Sequence, residues 1–244
     1  MKLILVPTDM SETAARALRF ASALALRYDA HLLVLYADTF TPPVDFGSAP
    51  LISVRREELV ENAREQLQMH VERHVSPAIP YDARVLAQST IEAILEQACD
   101  SGADLIVMGT HGRAGVRRFI IGSITEAIIR LATVPVIAVN GFSGETLSID
   151  KVVSPVATTA ASFEAQRYAA SLADESSMLL MPGAPSAYAI AHFASEMKAD
   201  LIAVDGSFHS LSTLLHLSPC PVLTINERTV RQTVSNPQIP LAVS

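Results

Sequence analysis

The sequence predicts an α/β protein built as two related units in tandem, each an open parallel sheet with helices on both faces, the second unit shortened. Three observations predict this. Short uncharged runs of Val, Ile, Leu and Ala alternate with amphipathic segments, the order that parallel sheets with crossover helices require. Several segments of the first half return in the second, in the same order. The core material is aliphatic: half of the 244 residues are hydrophobic, aromatics are 5%, and Trp is absent. Such a composition suits strands buried on both faces.

Leu3 to Val6 form a short apolar run, read as the first strand. Pro7-Thr8-Asp9 ends it, and a helix is predicted from about 11 to 27, with Ala14, Leu18, Ala21 and Ala25 on one stripe. Asp9 with Glu12 resembles a capping box, so Asp9 or Ser11 is the N-cap. Residues 31–36 form the second strand, and 39–50, with three Pro and one Gly, read as a loop. A long helix over about 54–75 follows, with Val60, Ala63, Leu67 and Val71 on one face. Residues 83–87 are a third strand. Ser89-Thr90-Ile91-Glu92 opens a helix as a capping box, its stripe being Ile91, Ile94, Leu95 and Ala98, and Gly102 stands where a C′ residue belongs. Residues 105–108 are the fourth strand. A helix over about 123–131 is expected to turn Ile124, Ala127, Ile128 and Leu131 inward, before a fifth strand at 136–139.

The repeat is then visible. Ala103-Asp104-Leu105-Ile106-Val107-Met108-Gly109 matches Ala199-Asp200-Leu201-Ile202-Ala203-Val204-Asp205-Gly206. Pro135-Val136-Ile137-Ala138-Val139-Asn140 matches Pro221-Val222-Leu223-Thr224-Ile225-Asn226. Lys2 to Pro7 echoes Lys151 to Pro155 more loosely. These matches divide the chain into 1–141, 150–228 and a tail, 229–244. Lys2 to Asp104 spans 102 positions but Lys151 to Asp200 only 49, so the second copy lacks about one long helix and one strand. It also lacks most of the segment after the fourth strand.

That segment carries the chemistry. It reads Gly109-Thr110-His111-Gly112, nine residues, then Gly122-Ser123. Glycines let backbone N–H groups approach an anion without a Cβ in the way. Gly122-Ser123 opens a helix, where free N–H groups and the dipole favour phosphate. Arg113, Arg117 and Arg118 add positive charge to a chain of net charge −7. The carboxyl end of a parallel strand is where open α/β sheets bind ligands. The pattern is neither a Walker A loop, since no Lys lies in the segment, nor a Gly-x-Gly-x-x-Gly fingerprint.

Gly-x-x-Gly-x9-Gly-[Ser/Thr], with its flanking segments and the opening Ile4-Leu5-Val6-Pro7-Thr8-Asp9-Met10-Ser11, resembles the universal stress protein family of the ATP-binding type. The resemblance covers 1–140 well and 150–226 in degenerate form. It implies two Rossmann-like (adenine nucleotide alpha hydrolase-like) sheets forming a tandem pseudo-dimer. It also implies an adenine nucleotide, ATP or else AMP or ADP, with or without Mg. Pro7, Thr8 and Asp9 would meet the adenosine part, Asp9 capping the helix as well or instead. Ala37 would offer backbone groups to the adenine edge. Met108 and Gly109 would line the ribose and phosphate path. His111, Gly112, Arg113, Gly122, Ser123 and Ile124 would surround the phosphates. Family dimers pair their last strands, so residues 136–139 and 222–225 are expected to pair within the chain, and two chains could associate further. Ala157-Thr158, near the position of Asp9, has no carboxylate, and no glycines follow Gly206 in the required pattern. No nucleotide is expected in that half.

Other residues exclude other classes. The acidic balance argues against a duplex nucleic-acid binder. Cys99 and Cys220 are read as two buried reduced thiols, and the cytoplasm as the compartment. The uncharged stretches 176–195 and 206–226 are broken by Ser, His and Pro and read as buried segments, not membrane spans. His70 and His74 have a spacing that can bind zinc, but no further ligand stands one turn away, so no metal site is expected. No Ser has a Ser/His/Asp setting, so no catalytic residue is assigned. The expected function is a nucleotide-binding regulatory module in stress response, with a protein partner left open. The alternatives are a slow ATPase or nucleotidyl-transfer enzyme using His111 and the arginines, and a nucleotide-free interaction protein.

Overall fold

The computed structural model describes residues 1–40, 49–110, 122–141, 148–173 and 178–235. The first half runs β1 (Leu3–Pro7), α1 (Glu12–Tyr28), β2 (His31–Ala37), α2 (Ala49–His74), β3 (Tyr81–Leu86) and α3 (Thr90–Asp100). It continues with β4 (Leu105–Gly109), α4 (Ser123–Leu131) and β5 (Val136–Val139). The second half runs β6 (Val152–Pro155), α5 (Ala160–Leu172), β7 (Met178–Met181) and α6 (Ala187–Met197). It ends with β8 (Leu201–Asp205), α7 (Leu211–Leu217), β9 (Val222–Ile225) and α8 (Glu227–Ser235). Up to β9, the second half repeats the element order of the first with α2 and β3 missing.

The two expected sheets are one nine-stranded sheet of order β3-β2-β1-β4-β5-β9-β8-β6-β7. Every pair of neighbours is parallel except β5 and β9, which run antiparallel with Val136 opposite Thr224 and Ala138 opposite Val222. α1 and α5 pack on one face with Ile4, Val6, Val107 and Ala203; Leu5, Ile106 and Ile202 point to the other, against α3, α4, α6 and α7. Alternate residues of each strand thus enter two different cores, which is why the strands read as unbroken apolar runs. The repeated Asp has one structural task in both halves. Asp104 Oδ2 accepts the N–H groups of Lys2 and Leu3, and Asp200 Oδ2 those of Asp150 and Lys151.

Several local expectations change. Ser11, not Asp9, caps α1: its Oγ accepts from Ala14 N at 3.2 Å, while Asp9 Oδ1 accepts from Ser11 N at 3.0 Å. Ser89 precedes α3 but its side chain makes no capping bond, so the Ser-Thr-Ile-Glu box does not form. Gly102 has φ +65°, the left-handed geometry a C′ glycine supplies. β3 lies at 81–86, two residues before its expected start. α2 starts at Ala49, inside the segment read as a loop, because Pro50 is tolerated in a first turn where the N–H has no intrahelical partner. α4 buries Thr125, Ile128 and Ile129, leaving Ile124 exposed. The Thr125 hydroxyl donates to Gly109 O at 3.0 Å and sets that rotation. Cys99 is exposed, since it follows the inward Ala98 on α3; Cys220 is buried, and burial pushes its thiol up to about 12. α8 covers 227–235 with Thr229 buried, so a boundary at 228 falls inside a packed helix.

Candidate functional site

A cleft of about 480 Å³ opens at the carboxyl ends of β1, β2 and β4, closed on one side by the N-terminus of α4. That volume lies in the range of small-molecule sites. Nine of the residues assigned from the sequence line it: Pro7, Thr8, Asp9, Ala37, Met108, Gly109, Gly122, Ser123 and Ile124. His111, Gly112 and Arg113, together with Arg117 and Arg118, lie outside the described residues.

The β1–α1 turn is tightly built. Thr8 N–H donates to Leu35 O at 2.9 Å, tying the turn to β2. Thr8 Oγ1 accepts from Met10 N at 2.9 Å and stands 3.4 Å from His70 Nε2 on α2. Met10 has φ 63°, which turns the chain sharply before the Ser11 cap. His70 is held down at about 4, first by burial and then by His74, with Asp9 opposing the shift. It is therefore a neutral ring beside Thr8 at neutral pH. Gly109 is favoured by close approach: a Cβ there would come within 3.2 Å of Ala14 N and Thr13 C, at the start of α1, and would press on that backbone.

At the other wall, the helix end differs in one respect from expectation. Gly122 N–H donates to Thr110 O at 2.9 Å and is not available to a ligand. Gly122 brings no capping side chain to α4. The N–H groups of Ser123, Ile124 and Thr125 begin the helix, where no intrahelical acceptor exists. These three amides and the Ser123 hydroxyl are the groups of this wall that could take an anion. Ala37 O already accepts from the Thr90 hydroxyl at 2.9 Å, so an adenine edge would share or displace that bond.

The sequence reading missed Tyr36, Asp38, Thr90, Ile94 and Thr125, which also line the cleft. In the sequence Thr90 stands at a helix start and Ile94 on a core stripe, and neither signals that α3 borders a site. Asp38 directly follows Ala37 and could have been found by extending the strand end by one residue. Among the described residues of the lining, the charged side chains are Asp9 and Asp38. No group of three or more His, Cys, Asp and Glu side chains suited to a metal occurs among the described residues. No helix among them is long and apolar enough to cross a membrane.

The equivalent place in the second half is built differently. Ile106 pairs with Val136 and Gly109 with Val139; Ile202 pairs with Val222 and Asp205 with Ile225. The register therefore matches Gly109 with Asp205, not with Gly206. Asp205 Oδ2 accepts from the hydroxyl of Thr159, the N-cap of α5, and Oδ1 accepts from Ser207 N at 2.7 Å.

A five-stranded parallel unit of order β3-β2-β1-β4-β5, with a cleft at its carboxyl edge beside a helix N-terminus, defines a Rossmann-like α/β protein. The family model described as the universal stress protein family matches residues 1–140. The match takes in more than half of the chain, and the chain belongs to that family. A universal stress protein of Methanocaldococcus jannaschii is 33% identical over 142 residues, 57% of this chain and 82% of the relative. Another, from Thermus aquaticus, is 34% identical over 140 residues, 57% of this chain and 98% of the relative. A solved universal stress protein from Archaeoglobus fulgidus superposes over 92% of this chain and 98% of its own, with TM-score 0.62 at 16% identity. That likeness concerns the fold of nearly the whole chain.

Proposed function

We propose that the first half binds an adenine nucleotide, ATP or its products AMP and ADP, and that the protein acts as a nucleotide-responsive regulatory module in the cytoplasm. The observation that carries this reading is convergence. The turn after β1, the end of β2, the end of β4 and the uncapped start of α4 meet around one cleft of about 480 Å³. The base and ribose would lie among Ala37, Ile94, Met108 and Asp9. The phosphates would take the Ser123, Ile124 and Thr125 amides, reached past a glycine with no side chain. The positive charge that phosphates need would come from Arg113, Arg117 and Arg118 of the Gly-rich segment. A Mg ion would then take its ligands mainly from phosphate oxygens and water, as Mg often does. The halves, joined through β5 and β9, are read as two related units forming a pseudo-dimer in one chain, with the nucleotide in the first.

The test is to denature the purified protein and identify released nucleotide by chromatography. Titration calorimetry with ATP, ADP, AMP and cAMP accompanies it. Gly122→Val is the control, because Gly122 has φ −57° and a Cβ there meets nothing closer than 3.4 Å. ATP or AMP recovered from the wild type and lost in the variant supports the reading. No released nucleotide and no binding heat would overturn it, leaving an interaction module. Phosphate release that His111→Ala abolishes without loss of binding would instead make the protein an enzyme.

A further inference from the structure

The two repeated Asn residues that end β5 and β9 reach across the seam between the halves. Asn226 Nδ2 donates to Ile129 O at 2.7 Å and to Ala132 O at 2.9 Å, at the C-terminal end of α4. Asn140 Nδ2 donates to Leu215 O at 2.9 Å and to Ser218 O at 2.8 Å, at the matching end of α7. Each half thus caps a helix of the other, with bonds of equal number and similar length. Because β5 and β9 run antiparallel, the end of each strand lies where the other half's helix finishes.

The two caps differ in which cleft the capped helix borders. The N-terminus of α4 is a wall of the cleft described above, whereas α7, through Leu211, Ser212 and Leu215, borders a separate cleft of about 520 Å³ beside Gly206 and Asn226. α4 has nine residues, about 13 Å of rigid rod, so its position at one end constrains the other. At its start it is tied to β4 through Thr125 and Gly109. At its end its unpaired carbonyls are held by the second half. We propose that Asn226 is a positioning residue for the cleft: the second half holds α4 by its C-terminus and thereby sets where the amides at its N-terminus stand. Asn226 Oδ1 also accepts from Arg228 N at 2.8 Å and Thr229 N at 3.1 Å, so the same side chain couples α4 to α8. The second half contributes to nucleotide binding through this clamp although it carries no Gly-rich segment. This inference rests on the nucleotide reading above.

The experiment compares Asn226→Ala with Asn140→Ala in the full chain, reading ATP affinity by calorimetry, melting temperature and amide hydrogen exchange. Both variants should melt lower, since each loses two bonds across the same seam. Asn226→Ala should weaken ATP binding about fivefold or more, the lower end of typical coupling between sites, while Asn140→Ala stays within about twofold. Without ligand, exchange should rise at 128–132 in the first variant and at 214–218 in the second. Asn226→Asp keeps the acceptor for α8 but loses both donors to α4, and it replaces Asn226→Ala if that variant does not fold. Equal affinity losses in the two variants, or none, would overturn the proposal. If the wild type binds no nucleotide, the functional reading fails by itself. The exchange pattern then still decides whether Asn226 clamps α4: selective loosening of 128–132 supports the clamp, and unchanged exchange refutes it.

Discussion

The two halves of this chain share their scaffold and differ at the place where a ligand would sit. Both begin with a strand whose start is tied by the repeated Asp, and both end with a strand whose Asn crosses to the other half. In the first half a glycine ends β4, and nothing projects from it into the cleft. In the second the matching residue is Asp205, whose carboxylate is consumed by the α5 cap and the following turn. A fixed negative charge there opposes phosphate. The repeat has therefore kept the residues that join the halves, while the site residues changed. The second half also lacks the α2–β3 layer, so whatever that layer contributes belongs to the first half alone.

The largest expected effect tests that layer. Leu67 is 1% exposed in the core beneath α2. Leu67→Ala should cost about 3 kcal/mol in denaturant unfolding, in the usual range for a buried Leu. A change below about 1 kcal/mol would show α2 to be dispensable, and the shortened second half would then be no simpler than the first.

Exchanging the residue that distinguishes the sites comes next. Gly109→Asp should weaken ATP binding about 100-fold, roughly 2.7 kcal/mol, through charge and through the close approach to Ala14. The reciprocal Asp205→Gly should create no binding, because the long Gly-rich segment is missing there. Calorimetry on both variants checks this, and ATP binding retained by Gly109→Asp would remove the proposed distinction.

A pH effect should follow from α2. His70 is ordinarily near 6.5 and is held at about 4; His74 is lowered as well, by burial and by Arg19. Between about 4 and 6.5 the unfolded chain binds the proton that the folded His70 refuses. The contribution is full above 6.5 and is lost as the pH falls through 4. Urea midpoints should decline from pH 7 to pH 4.5, with a shallower decline in His70→Gln; parallel declines would exclude His70 as the cause.

The smallest effects concern caps. Ser11→Ala should cost about 1 kcal/mol, since its oxygen caps α1. Ser89→Ala should cost less than about 0.5 kcal/mol, because that side chain makes no capping bond. A reversed order in thermal melts would contradict the cap geometry.

Much of this was legible in the amino-acid sequence because its causes are local. Apolar runs, helical stripes, Gly102 as a helix terminator and the ordered repeat each depend on residues within a few positions of one another. The Gly109 and Gly122-Ser123 positions could be named from the Gly-rich segment and the helix start, and the other described site residues from the family resemblance that the motif carries. Other features depended on distant segments coming together. Ile124 faces the cleft because Thr125 bonds Gly109, sixteen residues away. Thr8 meets His70 across 62 positions, and Asn226 meets α4 across more than 90. That Asp205, not Gly206, stands in for Gly109 follows already from counting on from the repeated Asp104 and Asp200, and the register of β8 against β9 agrees. Periodicity and turn chemistry are written residue by residue, whereas the partner of a polar side chain is chosen by which elements the packed sheet brings side by side.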